Sequence, residues 1–148
     1  NYPFNITRNK NYSVFLGVEN HLGSCAYYSI QVKFRNQTQP AADSFNRTPS
    51  SLSSLYNIMF FVADKETLEL PLNFSFDYGS NENLSQVNLN HMMFNDVAVD
   101  LRGYSTEWDP QRNRFFGNLF FELWIYNDAV GAFTYHERFT GLLLNMTV

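Results

Sequence analysis

Cysteine is almost missing from this chain, and its scarcity excludes a disulfide framework. Cys25 stands alone among 148 residues, so no bridge can form within the chain. A domain of this length buries enough surface to manage without one. Beside Ala26 and Tyr27, Cys25 is expected to be a small buried hydrophobe rather than a reactive thiol. Charge is also scarce, at 16% of residues with a net of −4, against about 25% in ordinary soluble domains. With no basic stripe to neutralise phosphates, nucleic acid is excluded as a partner. Long apolar runs are absent too. Ile58–Ala63 falls far short of the ~18 residues a membrane helix needs. There is no Gly-x-Ser-x-Gly elbow, and His21, His91 and His136 are scattered without metal-ligand spacing.

What the chain does hold is asparagine. Seven Asn-X-Ser/Thr sequons begin at Asn5, Asn11, Asn36, Asn46, Asn73, Asn83 and Asn145. With 18 Asn and 20 Ser or Thr in 148 residues, chance yields roughly two or three such acceptor motifs. The excess points to an exported surface whose N-linked glycans supply the solvation that charge does not. The competing explanation is an Asn-rich surface with incidental sequons. The chain begins at Asn1 rather than Met, so we expect a processed mature chain or an excised ectodomain. Any membrane contact would then run through a segment absent from this chain.

Aromatic residues, 15 Phe and 9 Tyr among them, suit half-buried pleated surfaces, and period-two alternation recurs throughout. Tyr12, Val14, Leu16 and Val18 share one face, as do Tyr28, Ile30, Val32 and Phe34, around a turn at residues 20–24. This pair is expected to form a hairpin. A second hairpin is expected to join residues 56–63 to the strand Leu68, Leu70, Leu72, Phe74 and Phe76. On that strand Asn73 faces outward and Pro71 marks an edge. Asn36–Ser54 is expected to be a long surface loop with one helical turn near Leu52 and Leu55. Met93–Leu101 reads as one strand and Tyr104–Arg114 as a charged loop. Residues 115–126 and 133–148 form the last hairpin. Its first arm is apolar on both faces apart from Glu122, as in a central strand covered on both sides. Asn145 faces outward on the second arm. The fold class expected is all-β: a single antiparallel immunoglobulin-like β-sandwich of about eight strands with long polar loops, spanning residues 1–148.

Chemistry is thinly signposted. Asp96, Asp100, Glu107 and Asp109 are the hard-oxygen donors a calcium ion would take, but no Asp-x-Asp-x-Asp-Gly loop arranges them. They are read as solvated carboxylates, and no metal or cofactor is assigned. Glu122 among Phe120, Trp124 and Tyr126 is the one acid in apolar company. An ion pair with a nearby Arg, or a place at a sheet margin, explains it more simply than glycosidase chemistry. Tyr104 and Trp108 are the candidate ligand-binding aromatics, able to stack on a sugar ring.

Three segments near the start carry a resemblance: Tyr2-Pro3-Phe4-Asn5-Ile6-Thr7, Val14-Phe15-Leu16-Gly17-Val18-Glu19-Asn20-His21 and Tyr28-Ser29-Ile30-Gln31-Val32. Two near the end carry it as well, Leu119 to Asn127 and Arg138-Phe139-Thr140-Gly141-Leu142-Leu143-Leu144-Asn145-Met146-Thr147. Together they resemble the extracellular part of the archaeal domain-of-unknown-function family 1616, membrane proteins with an outer domain. The resemblance implies an archaeal envelope protein and transfers no active site. The function expected is therefore a non-catalytic, N-glycosylated cell-surface ectodomain with a structural or adhesion role. Its partners would be N-linked glycans and other envelope proteins or copies of itself. One alternative is a surface filament or lattice subunit that donates a strand such as Tyr2–Thr7. A second is a carbohydrate-binding module.

Overall fold

The computed structural model describes residues 4–148, and those residues are all-β, with ten strands and no helix. They run β1 Phe4–Ile6, β2 Tyr12–Glu19, β3 Ala26–Arg35, β4 Tyr56–Val62, β5 Thr67–Ser80, β6 Gln86–Phe94, β7 Val97–Asp100, β8 Ser105–Asp109, β9 Arg114–Asn127 and β10 Ala132–Met146. Tyr2 and Pro3, read as the start of the first strand, lie outside the described residues.

Two facing layers enclose one cluster of buried side chains. One layer holds β4, β3, β9, β10 and β1, and the other holds β2, β5, β6 and β7. The link between them is β8, which pairs with β6 at Gln86↔Glu107 and with β9 at Trp108↔Phe115. On the opposite side no described strand joins the two layers. The result is a strongly curled half-barrel, sandwich-like in cross-section, rather than two separate antiparallel sheets of an immunoglobulin fold. It is also mixed, because β1 pairs with β10 in parallel through Phe4↔Leu144 and Ile6↔Met146.

The expected faces hold. Ile30, Val32 and Phe34, with Leu72, Phe74 and Phe76, are buried, while Asn73 is exposed. The expected partners do not. β2 and β3 form no hairpin: β2 pairs with β5, and β3 pairs with β4 and β9. Nor do β4 and β5 pair with each other. Both connections cross from one layer to the other, locked together by Asn20. Its buried amide donates to Ser24 O and Val62 O at 2.8 Å each, and its carbonyl accepts from Lys65 N at 2.7 Å. Only the β9–β10 hairpin is local as expected.

Four smaller corrections follow. Asn95 and Asp96 both take positive φ, 48° and 65°, so the run Met93–Leu101 is cut into β6 and β7 by a tight turn of the sort Asn and Asp tolerate. The loop Tyr104–Arg114 contains β8. No helical turn forms near Leu52 and Leu55. Cys25 is exposed in the β2–β3 crossing, not buried. Pro71 keeps its edge character locally, since β6 reaches β5 only from Phe74 onward and β2 alone flanks the strand there.

The long loop 36–54 covers part of the outer face of β3 and β9, where it buries Lys33 and Glu122. Lys33 is 3% exposed and Glu122 fully buried, with Nζ 2.7 Å from Oε1. Ser50 closes the network: its N–H donates to Glu122 Oε2 at 2.7 Å and its carbonyl accepts from Lys33 Nζ at 2.8 Å. Trp124 Nε1 donates to Glu122 Oε1 at 3.3 Å.

Candidate functional site

The sequon asparagines are unevenly distributed along the strand axis. Take the start of β3 and the end of β9 as one end of the molecule. Asn5, Asn11, Asn36, Asn83 and Asn145 then lie at or near the other, where β1 meets β10 and β5 turns into β6. Asn73 is halfway along β5, opposite Ser13. Asn46 is in the loop 36–54, next to Arg47, which reaches Glu137 at 3.7 Å. An N-glycan is built on Nδ2, so a receptive asparagine must offer that nitrogen to solvent. Asn5, Asn11, Asn46, Asn73 and Asn83 are exposed. Asn36 is half-buried and its Nδ2 donates to Ser105 O at 2.8 Å, while its Oδ1 accepts from Thr38 Oγ1 at 2.8 Å. Asn145 is half-buried beside its register partner Asn5, donating to Asn5 Oδ1 at 3.1 Å. In Asn46, Nδ2 donates to Asp43 Oδ2 at 2.7 Å.

Toward the opposite end the outer face is aromatic, and the sequon nearest to it is Asn46, whose neighbour Arg47 reaches Glu137, two residues from Tyr135. Tyr27 of β3 and Phe61 of β4 are register partners with rings stacked at 4.3 Å and 18°. Phe133 and Tyr126 lie 5.1 and 6.1 Å from Tyr27, and Trp124 meets Tyr135 at 5.6 Å. Phe61 is 68% exposed and Met59 beside it is also exposed. The expectation that β9 is covered on both sides is therefore met only in part. The loop 36–54 covers Phe120 and Glu122 but leaves Trp124 and Tyr126 accessible. Met59, Phe61 and Tyr126 are exposed here beside the half-buried rings of Tyr27, Trp124, Phe133 and Tyr135. The signal of this face in the sequence is the outward set Met59, Phe61, Trp124 and Tyr126, which a strand facing water has no reason to carry.

Tyr104 and Trp108 are not brought ring to ring. Tyr104 is half-buried against Phe34 of the core, 6.4 Å between centroids. Trp108 is exposed, edge-on to Phe115 at 5.1 Å. Its N–H donates to the carbonyl of Ser85, the third residue of the Asn83 sequon, which puts Trp108 at the sequon-bearing end.

The remaining candidates resolve into local pairs. Asp100 holds Arg102 in a two-pronged contact at 2.8–3.1 Å, and that guanidinium brings its carboxyl down to about 2. Asp109 is held below the usual carboxylate range by Arg112 at 2.7 Å. Asp96 belongs to the β6–β7 turn and Glu107 is exposed on β8. Among the described residues no three His, Cys, Asp or Glu side chains come together as a metal site. Glu122 is paired with a cation as the simpler explanation required, but the cation is Lys33 rather than an Arg. His21 contacts Glu19 at 3.0 Å, and His91 lies 3.7 Å from Asp77. His136 packs against the Tyr28 ring at 5.8 Å, and burial, then nearby Arg138, pushes its pKa down.

Among the described residues no helix is long and apolar enough to cross a membrane. No protein-family model, no curated protein and no solved structure matches the chain.

Proposed function

We propose that this chain is a non-catalytic, N-glycosylated cell-surface ectodomain of the archaeal envelope, glycan-coated toward one end and adhesive at the other. Its kinship with immunoglobulin-like ectodomains is then one of layering, two facing β layers with contacts made at the ends, not of strand order. The observation that carries this function is the segregation just described. Sequons collect around β1 and the β5–β6 turn, and the aromatic face of Tyr27, Phe61, Tyr126 and Phe133 has none. Sugars at one end keep a surface protein solvated and block sheet-to-sheet association, while bare aromatics at the other are free to meet a partner. Intact-mass spectrometry of protein from a glycosylating archaeal host, before and after chemical deglycosylation, tests it. Several glycans are expected, and an unchanged mass overturns the proposal.

A second possibility, carbohydrate binding, is favoured at the same aromatic face rather than at Tyr104 and Trp108. Stacked, accessible rings are what a pyranose needs, and the Tyr104 ring is turned into the core. A glycan array distinguishes the two. Hits abolished by Phe61→Ser and unaffected by Trp108→Ala support the sugar-binding function, and an array without hits ends it.

A further inference from the structure

On the side where no described strand joins the layers, a cavity of about 480 Å³ opens between the end of β2 and the middle of β10. A volume of that order suits a small ligand. Its floor is the core itself, Ile30, Phe121 and Leu123, with Leu16 and Val18 beside them. Arg138 and Thr140 line it from β10, and their register partners on β9 are Leu123 and Phe121. Residues directly opposite in an antiparallel pair share a face. Arg138 therefore stands on the inward side of the sheet, exposed at the mouth of an apolar cavity.

An arginine over an apolar floor calls for an anion, and the chain supplies none. Arg138 takes part in no ion pair among the described residues. Glu137 beside it turns to Arg47 at 3.7 Å. Glu19 lines the same cavity, but its carboxylate contacts His21 at 3.0 Å. The charge of Arg138 is felt inside the fold. It adds to burial in lowering the pKa of His136, and it opposes the rise that burial gives Tyr28. Polar groups gather at one end of the cavity, where Glu19 and His21 meet His136 and Arg138. Toward the other end lie Leu16 and Phe121, and the next inward residues beyond, Val14 and Leu142, pack against the same core. The cavity is thus amphipathic along its length, with one unmatched positive charge at its polar end.

We infer that this cavity binds a single-chain amphipathic carboxylate, its head on Arg138 and its chain over Ile30, Phe121 and Leu123 toward Leu16. A guanidinium presents paired N–H groups in the fork that a carboxylate accepts with both oxygens. One cation matches one negative charge, whereas the second charge of a phosphate would face Glu19. An alkylammonium would meet Arg138 as a like charge while Glu19 is held by His21. Each methylene laid on the floor adds affinity through the apolar area it removes from water. The site shares no residue with the aromatic face of Tyr27 and Phe61 and requires no sugar on any asparagine.

The test is NMR titration of the full chain without glycans, residues 1–3 included, so its outcome is independent of the proposed glycosylation. The probes are sodium decanoate, sodium octanoate and decyltrimethylammonium bromide, each below its micelle concentration. Decanoate is expected to move the methyl signals of Ile30 and Leu123 and to raise the pKa of the His136 imidazole, because a bound carboxylate offsets Arg138. Octanoate, two methylenes shorter, should bind about tenfold more weakly at ~0.8 kcal/mol per buried methylene. Decyltrimethylammonium should also bind at least tenfold more weakly than decanoate. Arg138→Gln, at an exposed position, should keep the Tm, weaken decanoate at least fivefold and erase the preference over the ammonium. The inference is overturned by unmoved Ile30 and Leu123 signals, by equal binding of the ammonium, by decanoate binding unchanged in Arg138→Gln, or by shifts confined to Tyr27 and Phe61.

Discussion

At the scale of single residues, the buried ion pair of Lys33 and Glu122 is the most consequential feature. Each partner is desolvated and each is satisfied by Ser50, so removing one strands the other. Breaking such a pair costs about 3–5 kcal/mol. Lys33→Met is therefore expected to lower the urea midpoint strongly at unchanged slope. The double variant Lys33→Met with Glu122→Leu should recover much of the loss, since two apolar groups leave no orphan charge. Recovery in the double variant separates lost pairing from simple mispacking. Gly117 is expected to tolerate no side chain, because a Cβ there would lie 2.8 Å from the Phe34 ring. Gly117→Ala should cost about 1–3 kcal/mol by overpacking, read as a lower Tm.

His136 supplies a pH dependence. Its pKa is depressed in the fold, first by burial and then by Arg138, so the folded state disfavours its protonation. The unfolded chain then binds the extra proton more readily as pH falls. Stability from this group is complete above the unfolded value of about 6.5 and is lost as pH drops toward the lower folded value. Denaturation midpoints measured on either side of that value should fall toward acid, and His136→Gln should flatten that part of the curve. A midpoint independent of pH there would contradict the assignment.

At the scale of elements, the alternation of oily and polar residues was legible because it is local, and the pairing of strands was not because it is distant. The inward set ending Leu72, Phe74 and Phe76, with Asn73 outward, can be read from β5 alone. That β5 lies between β2 and β6 cannot, since nothing in the turn at Asp64 to Glu66 announces a crossing. The decisive contacts are those of Asn20, remote in sequence from its partners: its side-chain amide donates to Val62 O, and its backbone carbonyl accepts from Lys65 N. An Asn at position 20 looks like ordinary turn chemistry. Only burial turns it into the bolt between two crossings. Asn20→Ala is therefore expected to destabilise by about 1–3 kcal/mol, taking the side-chain donor from the buried Val62 carbonyl. Asn95-Asp96 could have been read as a two-residue turn. The buried positions change phase across that pair, Met92 and Phe94 before it and Val99 and Leu101 after it, and that slip is the signal of the cut. The cover over Glu122 was illegible for another reason: loop 36–54 has no periodicity with which to place Ser50.

At the scale of the molecule, both the curl of the sheet and the division of its surface follow from where strands stop. Because β8 joins the layers on one side only, β2 and part of β10 keep open edges among the described strands on the other, and β1 fills part of that gap. Because the loop 36–54 stops short of Trp124 and Tyr126, an aromatic end is left uncovered, while the asparagines gather around the opposite one. Exposed Cys25 lies beside that aromatic end, lining a hollow with Tyr27, Phe61 and Tyr126. Attaching a bulky maleimide to its thiol is expected to leave the fold intact and to block adhesion to envelope preparations. Unchanged adhesion after complete labelling would move the contact surface elsewhere.

Site-by-site glycopeptide mass spectrometry of the chain produced in a glycosylating archaeal host bears most directly on this account. It predicts sugar on Asn11, Asn73 and Asn83, whose amide nitrogens face solvent, and none on Asn36, whose Nδ2 holds Ser105. Bare asparagines at the first three positions, or a fully occupied Asn36 beside them, would contradict it.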